Sequence, residues 1–226
     1  MTKSEAKTAS LEIEASLLQA GHQFVIGLDE VGRGAWAGPV VAGAVCLPLH
    51  DPTLSQALKG VFDSKQCTPR MRVALDAQIK ATALAYGVGV TTDREIEQMG
   101  ILPATRLAMH RALETARKML PNQQVDFLIL DKIDWKGLQY PHAFYVRGDQ
   151  RSLTIAAASI LAKVWRDAYM VQLGTQYPEY DFSHNKGYGT TIHQTALAQF
   201  GVCDAHRRNF NPMRSMLQDQ QNQLWT

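Results

Sequence analysis

The sequence predicts an α/β protein: a sheet flanked by helices, with a smaller helical addition at its C-terminal end. Three observations carry this. Five apolar runs of strand length fall at 23–28, 39–47, 85–91, 125–130 and 143–146. Helix-period segments lie between and after them, the arrangement of an α/β core. Beyond Gly174 the composition shifts to Tyr, Pro, Gly, His and Asn before one more helical segment. A length of 226 residues suits one well-buried domain with a small appended subdomain.

The first two runs read as strands joined by the glycine-rich stretch 32–38. Thr68-Pro69 supplies a cap and a first-turn proline for a helix over 69–83. Residues 85–91 alternate as a third strand, and Thr92 or Asp93 caps a short helix ending near Gly100. An amphipathic helix is predicted from Pro103 to Leu120, stopped by Pro121-Asn122. The continuous apolar run 125–130 reads as a strand buried on both faces. After the strand 143–146, Ser152 caps a helix to about Leu173, rich in Ala156, Ala157, Ala158 and Ser159, residues small enough to approach a sheet closely. A helix at 191–200 follows, and the glutamine-rich tail after Asn211 is expected to fray. This divides the chain into an extension (1–21), a core (22–174), a helical subdomain (175–215) and a flexible tail (216–226), in which Leu224-Trp225 offers a small apolar contact.

Composition excludes several classes. The longest apolar stretch, Gly38 to Leu49, holds two prolines and is too short to span a bilayer, and residues 1–20 resemble neither a signal nor a transit peptide. A cytoplasmic location is expected. Three scattered cysteines give no disulfide framework, and neither they nor the seven histidines show zinc spacing. A net charge of +2 does not by itself identify a nucleic-acid binder.

The chemistry concentrates at Asp29-Glu30-Val31-Gly32-Arg33-Gly34, directly after the first apolar run. Adjacent carboxylates at the end of a buried strand repel each other and are costly to bury without a cation. Side chains alternate between faces, so both cannot retreat to solvent on one side. A bound divalent metal resolves the conflict, and the glycine-rich turn lets a ligand come close. Asp131 and Asp149 also follow strands. If these strands are neighbours, four carboxylates gather at one end of the sheet, a donor set that selects Mg²⁺ or Mn²⁺ over zinc. Two such ions activate water and stabilise the leaving oxygen of a phosphodiester. Taken singly, Asp131 is equally readable as a solvated loop acid, and Asp149 as a helix-capping one.

Gly32-Arg33-Gly34 lacks the GK[ST] of a P-loop and misses the dinucleotide fingerprint by one residue. Arg33 is the informative member, a bidentate phosphate donor beside the acids. Lys163 and Arg166, one helical turn apart, are candidates to face a phosphate backbone, as is Lys65 of Asp63-Ser64-Lys65. The loop His184-Asn185-Lys186-Gly187-Tyr188-Gly189-Thr190 joins a base, an aromatic and two glycines, a stacking and phosphate-binding element.

Taken together, these segments resemble the type 2 ribonuclease H family, ribonuclease HII. The matching blocks are DEVGRG with GPVVAGAV (29–45), DSK (63–65), GILPATRLAMHRA (100–112), RGDQRSLTIAAASILAKVWRD (147–167), YPEYDFSHNKGYGT (177–190) and HRRNF (206–210), in family order from about residue 22 to 215. The resemblance implies a ribonuclease H-like mixed sheet flanked by helices, with a small C-terminal helical subdomain. It implies hydrolysis of the RNA strand of RNA–DNA hybrids and cleavage 5′ of single ribonucleotides in duplex DNA, leaving 5′-phosphate and 3′-hydroxyl ends. By likeness, Asp29, Glu30, Asp131 and Asp149 hold two Mg²⁺ or Mn²⁺ ions, one of which deprotonates the attacking water. Gly32, Arg33 and Gly34 sense the ribose 2′-hydroxyl, and Tyr188 stacks on the next deoxyribose. The expected partners are RNA–DNA hybrid and ribonucleotide-containing DNA, with no membrane, no identified protein partner and a monomeric chain. Two positions depart from the family pattern. Lys132 stands where glycine usually follows the third acid, and Ala35-Trp36 replaces the usual proline after Gly34.

Overall fold

The computed structural model describes residues 7–223, so Leu224 and Trp225 lie outside the described residues. A first helix, α1 (Glu12–Gln19), precedes strand β1 (Val25–Val31). β1 runs three residues beyond the predicted strand because Asp29, Glu30 and Val31 stay paired to Gly43, Ala42 and Val41 of β2 (Val40–Cys46). A short α2 (Leu54–Ala57) leads to α3 (Pro69–Thr82), where the Thr68 hydroxyl accepts from the Met71 amide at 3.3 Å. β3 (Ala85–Thr91) is followed by α4 (Asp93–Met99), opened by a reciprocal Thr92–Glu95 capping box. α5 (Ile101–Arg117) starts two residues ahead of the predicted Pro103, which sits in the first turn, where an amide is not needed.

β4 (Phe127–Asp131) and β5 (His142–Tyr145) complete the sheet. A single turn, α6 (Gly148–Arg151), leads into α7 (Leu153–Gln176), where the Ser152 hydroxyl accepts from the Ile155 amide at 3.1 Å. The C-terminal part holds α8 (Phe182–Asn185), α9 (Thr191–Phe200) and α10 (Met213–Gln223).

The sheet order is β3-β2-β1-β4-β5. β1, β2 and β3 pair antiparallel, whereas β4 joins β1, and β5 joins β4, in parallel. The predicted mixed sheet therefore forms, with helices on both faces. Strand alternation sends Leu28, Val40, Ala42 and Ala44 toward α5, where Ala108, Met109 and Ala112 meet them. Val45 and Leu47 face the other way, onto Ala156, Ala157 and Ala158 of α7.

Small residues allow both approaches. A Cβ on Gly43 would lie 2.1 Å from the Ala158 carbonyl oxygen, and one on Gly89 would lie 2.0 Å from that of Ala108. The alanine run of α7 is thus the counterpart of sheet glycines. A third apolar cluster joins the end of α7 to the C-terminal helices through Ala37, Met170, Phe182, Leu197 and Met213. Burial of Met213 roots α10 in that cluster, and the glutamine-rich segment after Asn211, expected to fray, is helical from Met213 through Gln223. Among the described residues, no helix is long and apolar enough to cross a membrane.

The N-terminal extension is anchored by a buried polar contact. Glu14 of α1 is fully enclosed, and its Oε1 accepts from the Ser152 hydroxyl at 2.6 Å and the Thr154 amide at 2.9 Å, at the start of α7. A carboxylate here meets the positive end of the helix. Gly43→Ala forces a methyl into the α7 backbone and is expected to lower unfolding stability by about 2–3 kcal/mol in urea denaturation.

Candidate active site

Parallel pairing of β1 with β4 brings the acids together. Leu28 is in register with Leu130, so Asp29 and Asp131 each come one residue later on adjacent strands and share a face. Both are buried, as is Asp149 on α6, which follows β5. Asp131 Oδ1 accepts from the Gly148 amide at 2.7 Å, tying the end of β4 to the turn that carries Asp149. Asp29 Oδ1 accepts from the Glu30 amide at 2.8 Å. Glu30 is paired with Arg33 Nη1 at 3.1 Å, and its Oε2 is buried without a hydrogen-bond partner.

All four acids line one cavity of about 350 Å³, with Ser64, Ser159 and Lys132 among the other lining residues. The Ser64 and Ser159 hydroxyls of that lining meet at 3.0 Å. Among the described residues, no three His, Cys, Asp or Glu side chains are drawn together tightly enough to enclose an ion. The carboxylates face a common space and do not converge on one point.

Burial dominates their electrostatics. It pushes the Asp29 carboxyl well above the usual range, reinforced by repulsion from Glu30 and Asp131, while the Ser159 hydroxyl opposes it. Burial also raises Glu30, against the pull of Arg33, and raises Asp149 together with repulsion from Asp131 and Asp63. Carboxylates held at a cost in ionisation, one with an orphaned buried oxygen, form a hard-oxygen donor set that gains from a cation.

Comparison with known proteins decides the family. The family model described as Ribonuclease HII matches residues 26–213. A ribonuclease HII of Roseiflexus castenholzii is 46% identical over 207 residues, covering 92% of this chain and 90% of that protein. The chain belongs to the ribonuclease HII family.

Solved structures agree on the fold. The ribonuclease H2 of Pyrococcus horikoshii superposes with a TM-score of 0.68 at 25% identity, covering 87% of this chain and 98% of that one. A Bst-RNase HIII in complex with Mn²⁺ gives a TM-score of 0.69 at 20% identity, covering 91% and 72%. As a ribonuclease HII, the protein is a ribonuclease H, a metal-dependent phosphodiester hydrolase acting as an endoribonuclease on RNA–DNA hybrids.

The remaining sequence-predicted residues separate into three groups in this ribonuclease HII. Lys65, Lys163 and Tyr188 line the cavity with the acids. Lys163 Nζ is 2.7 Å from Asp167 Oδ1, and Asp167 also takes Arg72 at 3.1 Å. The Lys65 loop is braced against α6, since Asp63 accepts from the Lys65 amide at 3.0 Å and from Gln150 Nε2 at 3.1 Å. Arg33 is partly exposed beside Glu30, on the turn that leaves β1.

One predicted phosphate contact is corrected. Arg166 does not face a nucleic acid: it is fully buried and spends its donors on the carbonyls of Pro39 (2.9 Å), Lys186 (2.9 Å) and Ala37 (3.1 Å). Helical spacing from Lys163 put it one turn away but did not reveal that the C-terminal subdomain covers that turn. Lys186 lies outside the cavity lining, and its ammonium donates to the Ser183 carbonyl.

The structure adds residues that sequence reasoning missed. Arg207, also fully buried, donates to the carbonyls of Gly38 (2.9 Å) and Arg33 (3.0 Å), so two guanidiniums hold the turn after β1. Behind Tyr188 runs a chain of hydrogen bonds. His193 Nδ1 donates to the Tyr188 carbonyl at 3.0 Å, and His193 Nε2 lies 2.9 Å from His206 Nε2. His206 Nδ1 accepts from the Cys203 amide at 3.0 Å, so its proton sits on Nε2 and points to His193. Burial keeps both rings neutral, holding His193 below its usual value and His206 at about 4. The sequence signal for His206 is the HRRNF block at 206–210.

A Cβ on Gly32, where φ is +91°, would lie 2.2 Å from Arg166 Nε. Gly32→Ala is therefore expected to lose at least tenfold in cleavage rate as the turn shifts, roughly the effect of a 1 Å misplacement near a reacting centre, and steady-state assays check it. An acid whose pKa is raised by folding destabilises the fold when ionised, and that penalty fades as pH drops through the folded value. In metal-free buffer at about pH 7, Asp29→Asn is therefore expected to melt above the parent chain, with the gap closing toward about pH 4. Calorimetry across that range measures both effects.

Proposed function

We propose that this enzyme, besides hydrolysing RNA in hybrids, cleaves on the 5′ side of a single ribonucleotide embedded in duplex DNA. The observation that carries this reading is the meeting of four carboxylates, from two parallel strands and the turn after a third, with Tyr188 in the same cavity. Asp29, Glu30, Asp131 and Asp149 would hold two Mg²⁺ or Mn²⁺ ions. The buried, repelling carboxylates and the unpartnered Glu30 oxygen support that assignment, as does the Mn²⁺ complex of the ribonuclease HIII that shares the fold. Bound there, the ions would supply an activated water and neutralise charge on the phosphate.

The chain's own residues do the rest. Gly32 and Gly34 bring backbone close to the 2′-hydroxyl, and Arg33 meets phosphate from the partly exposed side of its pair with Glu30. Tyr188 offers its ring to the deoxyribose after the ribonucleotide, with its backbone carbonyl held by His193 and the Arg166 guanidinium 5.5 Å from its ring centre. Lys65 and Lys163 meet the flanking phosphates. Attack in line with the departing 3′-oxygen leaves 5′-phosphate and 3′-hydroxyl ends.

End-labelled duplex with one ribonucleotide, assayed beside a full hybrid in Mg²⁺, Mn²⁺ or EDTA, tests the reading. The expected result is a metal-dependent cut 5′ of the lone ribonucleotide; cleavage of the hybrid alone would overturn the junction assignment. Asp29→Asn is expected to lower turnover by at least about 10³-fold while remaining folded. Tyr188→Ala is expected to reduce junction cleavage by about tenfold or more, the scale of one lost stacking contact, and equal loss on both substrates would count against its role.

A further inference from the structure

Lys132 combines two features that neither the fold nor the family pattern explains. Its φ is +53°, in the left-handed region where an L residue with a Cβ is disfavoured and glycine is at ease. The backbone cannot relax out of it cheaply, because the Lys132 amide donates to the Tyr145 carbonyl at 3.1 Å and so closes the ladder between β4 and β5. A lysine is nevertheless kept there, and its side chain is not simply shed into solvent. It lines the acid cavity, with Nζ 3.6 Å from Asp131 Oδ2.

That separation is an ion pair without a tight hydrogen bond, on a side chain that is half exposed. Two other cations at the site differ. Arg33 is bonded to Glu30 at 3.1 Å, and Lys163 to Asp167 at 2.7 Å. Lys132 is therefore a loosely held positive charge beside the Asp131 carboxylate.

We propose that Lys132 is a resident counter-cation of the acidic cluster, competing with divalent metal for Asp131 and giving this enzyme a weaker metal affinity than glycine at the same position would. This rests on the assignment of the four acids as metal ligands. An ammonium offsets one carboxylate charge whenever metal is absent, and each ion that enters must displace it or bind against it. The strained backbone holds the ammonium's root beside Asp131, so the competition is intramolecular. Asparagine removes the charge while keeping the left-handed φ accessible, so K132N tests the ammonium without forcing the backbone to move.

The experiment is Mn²⁺ binding to the full chain without nucleic acid, read from the electron paramagnetic resonance of free Mn²⁺, for the parent chain, K132N, K132G, K132R and D131N. K132N and K132G are expected to bind about tenfold tighter, and K132R like the parent. The difference is expected to narrow between about 20 mM and about 300 mM KCl as the ammonium is screened. Unchanged or weaker Mn²⁺ binding in K132N, with D131N weaker than the parent, overturns the role of Lys132 and leaves the acid assignment standing. Undiminished binding in D131N overturns both.

Discussion

Arg166 is the constraint on which the cleft depends. A guanidinium enclosed without a carboxylate partner is costly unless its donors are all met, and here backbone carbonyls meet them. Those carbonyls belong to the turn after β1 and to the loop before Tyr188, so one side chain clamps two segments distant in sequence. Gly32 is glycine because the clamp passes where its Cβ would be. Arg207 clamps Gly38 and Arg33 in a similar way but leaves Nη2 buried without a partner, and burial together with repulsion from Arg166 pulls its pKa down to about 9. The cation-rich interior lies directly behind an anion-rich cavity.

The cavity is the reverse case. Parallel pairing of β1 and β4 places Asp29 and Asp131 side by side with no freedom to separate, since each follows an apolar residue locked in register. Strand geometry thus imposes a repulsion that the fold alone leaves only partly relieved, through the Gly148 amide, the Ser159 hydroxyl and Arg33.

Much of this was readable from the residues. All five strands were marked by their apolar runs, and caps at Thr68, Thr92 and Ser152 located three helices, because a cap is a local contact between neighbours in sequence. Asp29 and Glu30 stood out because adjacent carboxylates at a strand end are hard to explain otherwise, whereas Asp131 and Asp149, ambiguous singly, were picked out by the family resemblance. Arg166 was misread for the opposite reason: whether a helical face meets solvent depends on what packs there, and its covering segments are remote in the chain. The roles of His193, His206 and Arg207 escaped on the same ground, since each acts on a carbonyl or ring that only the tertiary fold brings near. Lys132 was noted as a departure, but its left-handed backbone is a property of the β4 exit.

The parallel joint between β1 and β4 also orders events in time. Asp131 follows Asp29 by 102 residues, an interval of about 5–20 s at ordinary rates of chain synthesis. During it, β1, β2 and β3 can form their antiparallel ladders from local contacts, while the other edge of β1 stands open to any strand that meets it. β4 both closes that edge and delivers the third acid. Protection from aggregation and assembly of the acid cluster are therefore the same late step, and a chain arrested before residue 131 has neither.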